Sequence, residues 1–529
     1  MTLSRNFCLF LLLGSNMKLF SLSLLLTFSL ISTTNGFPTT ADVKVYPVPP
    51  IPNATVVESR QTSSSKLVFC HFMIGITSNR NSAANYDADM QRAKSLGINA
   101  FALNIGTDPY TDTQLGFAYQ SAANNGMSVF ISFDFNWWSP GDAAGVGNKI
   151  AQYAGYPAQL HVNGKVFASS FAGDGLNIPA LKAAAAAKGF SQVYFAPNFH
   201  PGIGSLSALD GALNWLGWPN NGNNKAPSGG VTVTVTNGDQ NYPASPWFFT
   251  HFGPEVSYSK NWIFPSDLLW YKRWLEILAL QPTFVEIVTW NDYGESHYIG
   301  PLSSPHTDDG GSKWVNDMPH DGWLEMAKPF IAAYKAGQSS PNAFITSDQI
   351  IYWYRITPKA LDCDSTDTTM VAANNASGNY FKGRPNGYDS MLDDVFIVPL
   401  LTSAGTITVN TGARQYTFNA PAGASAFSVP FQVGAQTFTL SRNGAKVMSA
   451  TSLKVIQSTC PCGLYNFNAY VGTVPAGTRD ALDSTGLGSF TNGLHVACAA
   501  SPSLPATPPA TTTATATNVA TAAPTSPAI

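Results

Sequence analysis

LVFCHFMIGI at residues 67–76, INAFALNIG at 98–106 and MSVFISFDF at 127–135 are near-continuous apolar runs, each a helix's length from the next. A strand that is apolar at odd and even positions alike is buried on both faces, the pattern of a parallel sheet covered by helices. Five more runs follow: KVFASSFAG (165–173), QVYFAPNFH (192–200), SPWFFTH (245–251), FVEIVTW (284–290) and QIIYWYRI (349–356). Between them the period changes. Tyr86, Met90, Ala93 and Leu96 fall at helical spacing before Gly97, and Trp323, Ala327, Phe330 and Tyr334 do so before Gly337. Eight strand–helix units over residues 67–357 predict an α/β fold, a (β/α)8 TIM barrel.

Beyond Pro358 the helical period disappears. VFIVPLL (395–401), TITVNT (406–411), QYTFNA (415–420), FSVPF (427–431) and TFTLSR (437–442) are short runs separated by turn residues. They predict an antiparallel β-sandwich over residues 358–498. The ends read differently. Lys18 followed by the apolar run Leu19–Ile31 and small polar residues to Gly36 makes residues 1–36 a secretory leader, with Met17 as an alternative start. Residues 37–66 read as a disordered lead-in and 499–529 as a Thr/Ala/Pro-rich disordered tail. Cysteine usage fits export: Cys363, Cys460, Cys462 and Cys498 suit two disulfides, Cys460 and Cys462 each reaching Cys363 or Cys498. Cys70 reads as a buried inert thiol, and Asn53 and Asn375 as glycosylation acceptors.

Charged residues make up 11% of the 529, with a net charge of −3 and no basic run, which excludes nucleic acid as a partner. A low-charge surface with 12% aromatic residues suits a neutral, hydroxyl-rich ligand such as a polysaccharide. No later segment approaches ~20 consecutive apolar residues, so a soluble, secreted monomer without stable membrane association is expected. No cofactor or metal is expected either. Cys-Pro-Cys is tighter than zinc-ligand spacing, and His306, Asp308 and Asp309 lie in a Gly/Ser-rich loop that reads as solvated.

Catalytic side chains of a barrel stand at the C-terminal ends of its strands. Those ends carry Asp134, Asn198, His200, Trp247, His251 and the run WNDYGES (290–296). An acid in a loop is ordinarily a solvated or capping residue. Asp292 and Glu295, however, lie just past a buried strand, three apart across a Gly-containing turn and crowded by aromatic residues. Glycosidic hydrolysis needs two carboxyl groups, one to protonate the leaving oxygen and one to serve as base or nucleophile. Asp292 and Glu295 are therefore the candidate catalytic pair, with Glu295 as acid by its longer reach. Trp290, Tyr293 and Tyr298 are candidates for stacking on sugar rings, with Asn291 beside them. Asp134 reads equally as a helix cap, and His200 and His251 as packed histidines.

WPNNGNNK (218–225), SPWFF (245–249), LALQPTFVEIVTWNDYGESHYIGP (278–301) and MPHDGW (318–323) resemble the fungal α-1,3-glucanases (mutanases) of glycoside hydrolase family 71. CPCGLYNFNAYVGTVPAG (460–477) is similar to that family's accessory β-domain. The resemblance implies an inverting hydrolase of fungal-wall α-1,3-glucan, with Asp292 and Glu295 as its catalytic residues. One departure stands out. Residues 231–244 lead to SPWFF without room for a full helical crossover, so a shortened sixth strand or a variant gene product is expected there.

Overall fold

The computed structural model describes residues 42–46, 66–199, 209–215, 217–219, 239–252, 260–367 and 383–477. The leader, the tail, Asn53, Asn375, Cys498 and His200 lie outside the described residues. Eight parallel strands share one curled sheet: β1 (Leu67–Met73), β2 (Ala100–Ile105), β3 (Ser128–Asp134), β4 (Lys165–Phe171), β5 (Val193–Asn198), β6 (Gly211–Leu213), β7 (Asp239–Ala244) and β8 (Phe284–Ile287). Their hydrogen-bonded order is β6-β7-β8-β1-β2-β3-β4-β5, which sets the last strand beside the first. The sequence expects this polarity because stretches of helical period separate the runs, and parallel neighbours need such crossovers. Helices Ala143–Tyr153 and Ile178–Ala187 start where Asp142 and Asn177 accept hydrogen bonds from Gly145 N–H (2.8 Å) and Ala180 N–H (3.0 Å). Helix Thr111–Asn125 stops at Gly126, whose φ of 61° lies in the left-handed region.

Six of the eight runs read as barrel strands take their places, and two do not. Phe249–Phe252, within SPWFFTH, pairs antiparallel with Lys260–Ile263 as a separate hairpin. Gln349–Arg355 pairs antiparallel with Asp394–Leu401 and Ala469–Val474. Their places in the parallel sheet belong to β6 and β7. The first is only three residues long, and the second, DQNYPA, is polar and carries a proline, so both resemble linkers. The interval that departs from the family pattern thus holds a strand.

Side chains alternate across the strands. Phe69, Phe130, Phe167 and Phe284 meet inside the curl, with Phe69–Phe130 and Phe130–Phe167 ring centroids 5.0 and 4.8 Å apart. Two residues along each strand, on the same face and nearer the C-terminal ends, a buried polar layer replaces them: His71, Ser132, Ser169 and Glu286. His71 Nδ1 lies 2.8 Å from Glu286 Oε1, and Asn241 donates to Glu286 Oε2 at 2.6 Å. The aromatic rings fill the curl, and the polar layer lies above them, toward the C-terminal ends of the strands.

A six-stranded antiparallel sheet carries Gln349–Arg355 between Asp394–Leu401 and the edge strand Ala469–Val474, and a four-stranded one spans Gly405–Thr451. Ile351 and Trp353 face the helical layer, where Trp353 meets Trp323 at 5.8 Å. Ile350, Tyr352 and Tyr354 face the four-stranded sheet, where Tyr352 stacks on Phe438 at 3.9 Å. The other edge of the six-stranded sheet is Lys44–Tyr46, from the segment read as a disordered lead-in. It pairs with Ala426–Ser428, and Lys44 forms an ion pair with Asp394 at 2.7 Å. Cys363 and Cys460 are disulfide-bonded, and Cys70 is fully buried, its thiol pushed up by burial and the Glu286 charge. No helix among the described residues is long and apolar enough to cross a membrane.

Candidate active site

The WNDYGES turn is tied to β1 from both sides. Trp290 N–H donates to His71 O (2.7 Å), and the Asn291 amide clasps the Met73 backbone, accepting from its N–H at 2.7 Å and donating to its carbonyl at 3.1 Å. The Trp290 indole donates to the buried Asp89 at 2.9 Å. Phe249 N–H of the hairpin donates to Glu295 O at 3.0 Å. Gly294 is required between the two acids, because a Cβ there would meet the Asp309 carboxylate and, at 2.9 Å, the Phe252 ring.

Held this way, Asp292 and Glu295 are half-buried and face each other. Asp292 Oδ1 accepts from Glu295 N–H at 3.1 Å. Asp292 N–H donates to Thr289 Oγ1 (2.9 Å), which leaves the hydroxyl hydrogen for His297 Nδ1 at 3.2 Å. His297 therefore carries its proton on Nε2 and donates it to Glu295 Oε2 at 2.9 Å, with Asp292 Oδ2 3.5 Å away. Burial, reinforced by Lys260, lowers the His297 pKa to about 4 against the pull of Asp292, so the ring is neutral. Asp292, Glu295 and His297 hold ligand-type atoms within 4.8 Å of one another, a spacing that suits a cation. The cation standing there is the Lys260 ammonium, paired with Glu295.

Asp134, at the end of β3, is buried. Burial and then the charge of Asp292 raise its pKa, against the Asn136 N–H it accepts (2.9 Å) and His71. Asn198, half-buried at the end of β5, accepts from Trp215 N–H at 3.3 Å, and the Trp215 ring stands edge-on to His71. The structure thus brings Asp134 and the Asp292–Glu295 pair within electrostatic reach of one another at the strand ends, the end that also carries Asn198.

The other aromatic candidates are sealed in the core. Trp290 packs on Phe101, Tyr293 stacks on His306 at 3.9 Å and donates to Pro301 O, and Tyr298 stacks on His320 at 3.9 Å. Trp247 is fully buried and donates to Phe467 O at 3.0 Å. His251 is clamped between Asn261 Oδ1 (2.7 Å) and Asp367 Oδ2 (2.6 Å). A sugar cannot stack on a ring with no exposed face, so these residues build the loop and hairpin. Two residues that the sequence did not place at the site join it. Asp309, expected to be solvated, is half-buried against Gly294; burial, then Asp308 and Asp292, raise its pKa to about 7. Lys260 drew no notice in the sequence because only the hairpin brings it to the acids. Trp137, three residues past Asp134, is 64% exposed.

The sequence pattern of glycosyl hydrolase family 71 matches residues 64–483. A mutanase of Penicillium rubens is 39% identical over 83% of this chain and 95% of its own length. A glucan endo-1,3-alpha-glucosidase of Schizosaccharomyces pombe is 35% identical over 78% of this chain and 96% of its own. An ascus wall endo-1,3-alpha-glucanase of the same yeast is 28% identical over 70% and 87%. Two acids at the strand ends, within reach of each other, are what the chemistry of such a family requires, and the chain belongs to glycosyl hydrolase family 71.

Proposed function

We propose that this protein hydrolyses α-1,3-glucosidic bonds within fungal cell-wall α-1,3-glucan, as a secreted, endo-acting monomer, through Asp292 and Glu295. The observation that carries the reading is the WNDYGES turn, whose two carboxylates lie within 4.8 Å of each other in a chain 39% identical to a mutanase. The eight parallel strands form a (β/α)8 barrel. Asp210 N–H, just before β6, donates to Phe195 O of β5 at 3.3 Å across the remaining edge. The two antiparallel sheets form a β-sandwich about the Tyr352–Phe438 contact.

Side-chain reach assigns Glu295 as acid, but its surroundings favour the reverse. The Lys260 ammonium and the His297 Nε2–H both stabilise Glu295 in its ionised form, the state of a base. Asp292 then protonates the leaving oxygen while Glu295 activates water. The family resemblance supports inversion, which needs carboxyl groups about 6.5–9.5 Å apart. The close approach of Asp292 and Glu295, within 4.8 Å, favours a second reading, retention through a covalent intermediate. Proton NMR of the first product separates them: β-anomer before mutarotation is the expected result, and initial α-anomer establishes retention.

Purified protein incubated with insoluble α-1,3-glucan, β-1,3-glucan and starch should release reducing sugar from the first alone. Release from β-1,3-glucan or starch at a comparable rate overturns the linkage assignment. Trp137 offers the exposed ring that the buried aromatics do not, and it stands beside Asp134. Trp137→Ala should raise KM for α-1,3-glucan about fivefold with kcat nearly unchanged, the scale of one aromatic contact. An unaltered KM places the glucan elsewhere.

A further inference from the structure

Four carboxylates converge on one side chain. Glu295 forms an ion pair with Lys260; burial lowers the lysine's pKa, and the charges of Asp292, Asp309 and Asp134 oppose that shift and favour its ammonium form. Like charges oppose one another's ionisation, so such a cluster left to itself would hold several of its acids protonated. The neutral His297 ring supplies no compensating charge. Lys313, further along, acts on Asp308 and lies over the Phe252 and Trp314 rings. Lys260 arrives from outside the parallel sheet, on the hairpin strand Lys260–Ile263, directly opposite Phe252. The same hairpin holds the backbone of Glu295 through Phe249 N–H. Backbone and side chain of Glu295 are thus fixed by one element.

We propose that Lys260 is a positioning residue for the hydrolysis, pinning the Glu295 carboxylate and offsetting part of the negative charge around it so that the catalytic pair titrates in the working pH range. The proposal rests on the reading of Asp292 and Glu295 as the reacting pair. Its sign is fixed by electrostatics. An ammonium group favours ionised carboxylates, so removing it raises the pKa of every acid it faces. A base then ionises at higher pH and an acid stays protonated to higher pH, and both limbs of the activity profile move the same way.

The test is the pH dependence of kcat/KM on soluble α-1,3-oligoglucosides for Lys260→Met, Lys260→Gln and Lys260→Arg, with thermal melts to establish that each variant is folded. The two neutral variants should lose at least about tenfold in kcat/KM at the wild-type optimum, and their profiles should move upward by about one pH unit. Lys260→Arg, which keeps the charge, should retain the wild-type profile. A neutral variant whose profile stays in place overturns the proposal, whether or not its rate falls, since a merely structural lysine lowers rate or stability without displacing the limbs. An arginine variant as displaced as the methionine variant overturns it as well. Asp292→Asn and Glu295→Gln in the same assay separate the two readings. If both are inactive while Lys260→Met keeps its profile, only the lysine proposal fails; if either is active, the reading of the pair fails.

Discussion

Asp292→Asn and Glu295→Gln should each lower kcat on α-1,3-glucan at least about a hundredfold, the contribution of a positioned acid or base. Both replacements keep size and much of the hydrogen bonding, so the turn closed by Glu295 N–H on Asp292 Oδ1 survives at least in shape, and binding to insoluble glucan should persist. The two variants should differ in one respect. An acid is needed only where the leaving group is poor, so an α-1,3-linked oligoglucosyl fluoride should restore Asp292→Asn and leave Glu295→Gln inactive. Restoration of Glu295→Gln instead would return the acid role to Glu295. Near-normal activity of either variant on the polymer would remove that residue from the chemistry.

The second large effect concerns stability, away from the acids. Asp89 is 1% exposed and accepts from the Trp290 indole at 2.9 Å and from Ser304 Oγ at 3.0 Å, while forming an ion pair with Arg80 at 2.9 Å. Arg80 is itself buried, its guanidinium 4.1 Å from the Tyr86 ring centroid. Asp89→Ala leaves that guanidinium uncompensated and one indole N–H unpaired, and should cost about 3–5 kcal/mol. Asp89→Asn, which keeps an acceptor for Trp290, should cost visibly less. Denaturant midpoints of the two variants check the order. An alanine variant as stable as the wild type would mean that the loop does not depend on this anchor.

The parallel sheet was legible wherever a strand was long and apolar on both faces, as in β1 to β5 and β8. The same signal misled at Gln349–Arg355. That strand is also buried on both faces, because helices cover one side of its sheet and a second sheet covers the other. Double burial says nothing of strand direction. At the site, the carboxylates were legible because strand ends and a glycine turn fix where an acid can go. Trp290, Tyr293 and Tyr298 were not, because composition does not distinguish a ring lining a cleft from one packed beneath the loop that forms it. Asp309 was hidden for the opposite reason: a Gly/Ser-rich loop reads as wet, yet the missing side chain of Gly294 lets the loop close on the acids.

The hairpin that carries Lys260 is moored largely from beyond the catalytic sheet. His251 reaches Asp367, Asn261 donates to Gly383 O at 2.7 Å, Ile263 N–H donates to Asn386 O at 2.9 Å, and Trp247 just before it donates to Phe467 O. The C-terminal portion is therefore not cargo that an engineer can exchange freely for another domain. A graft that kept every residue up to the last parallel strand would still lose the mooring of the lysine that serves its acids. The two halves work as one folded unit, and a change in either is felt across the seam between them.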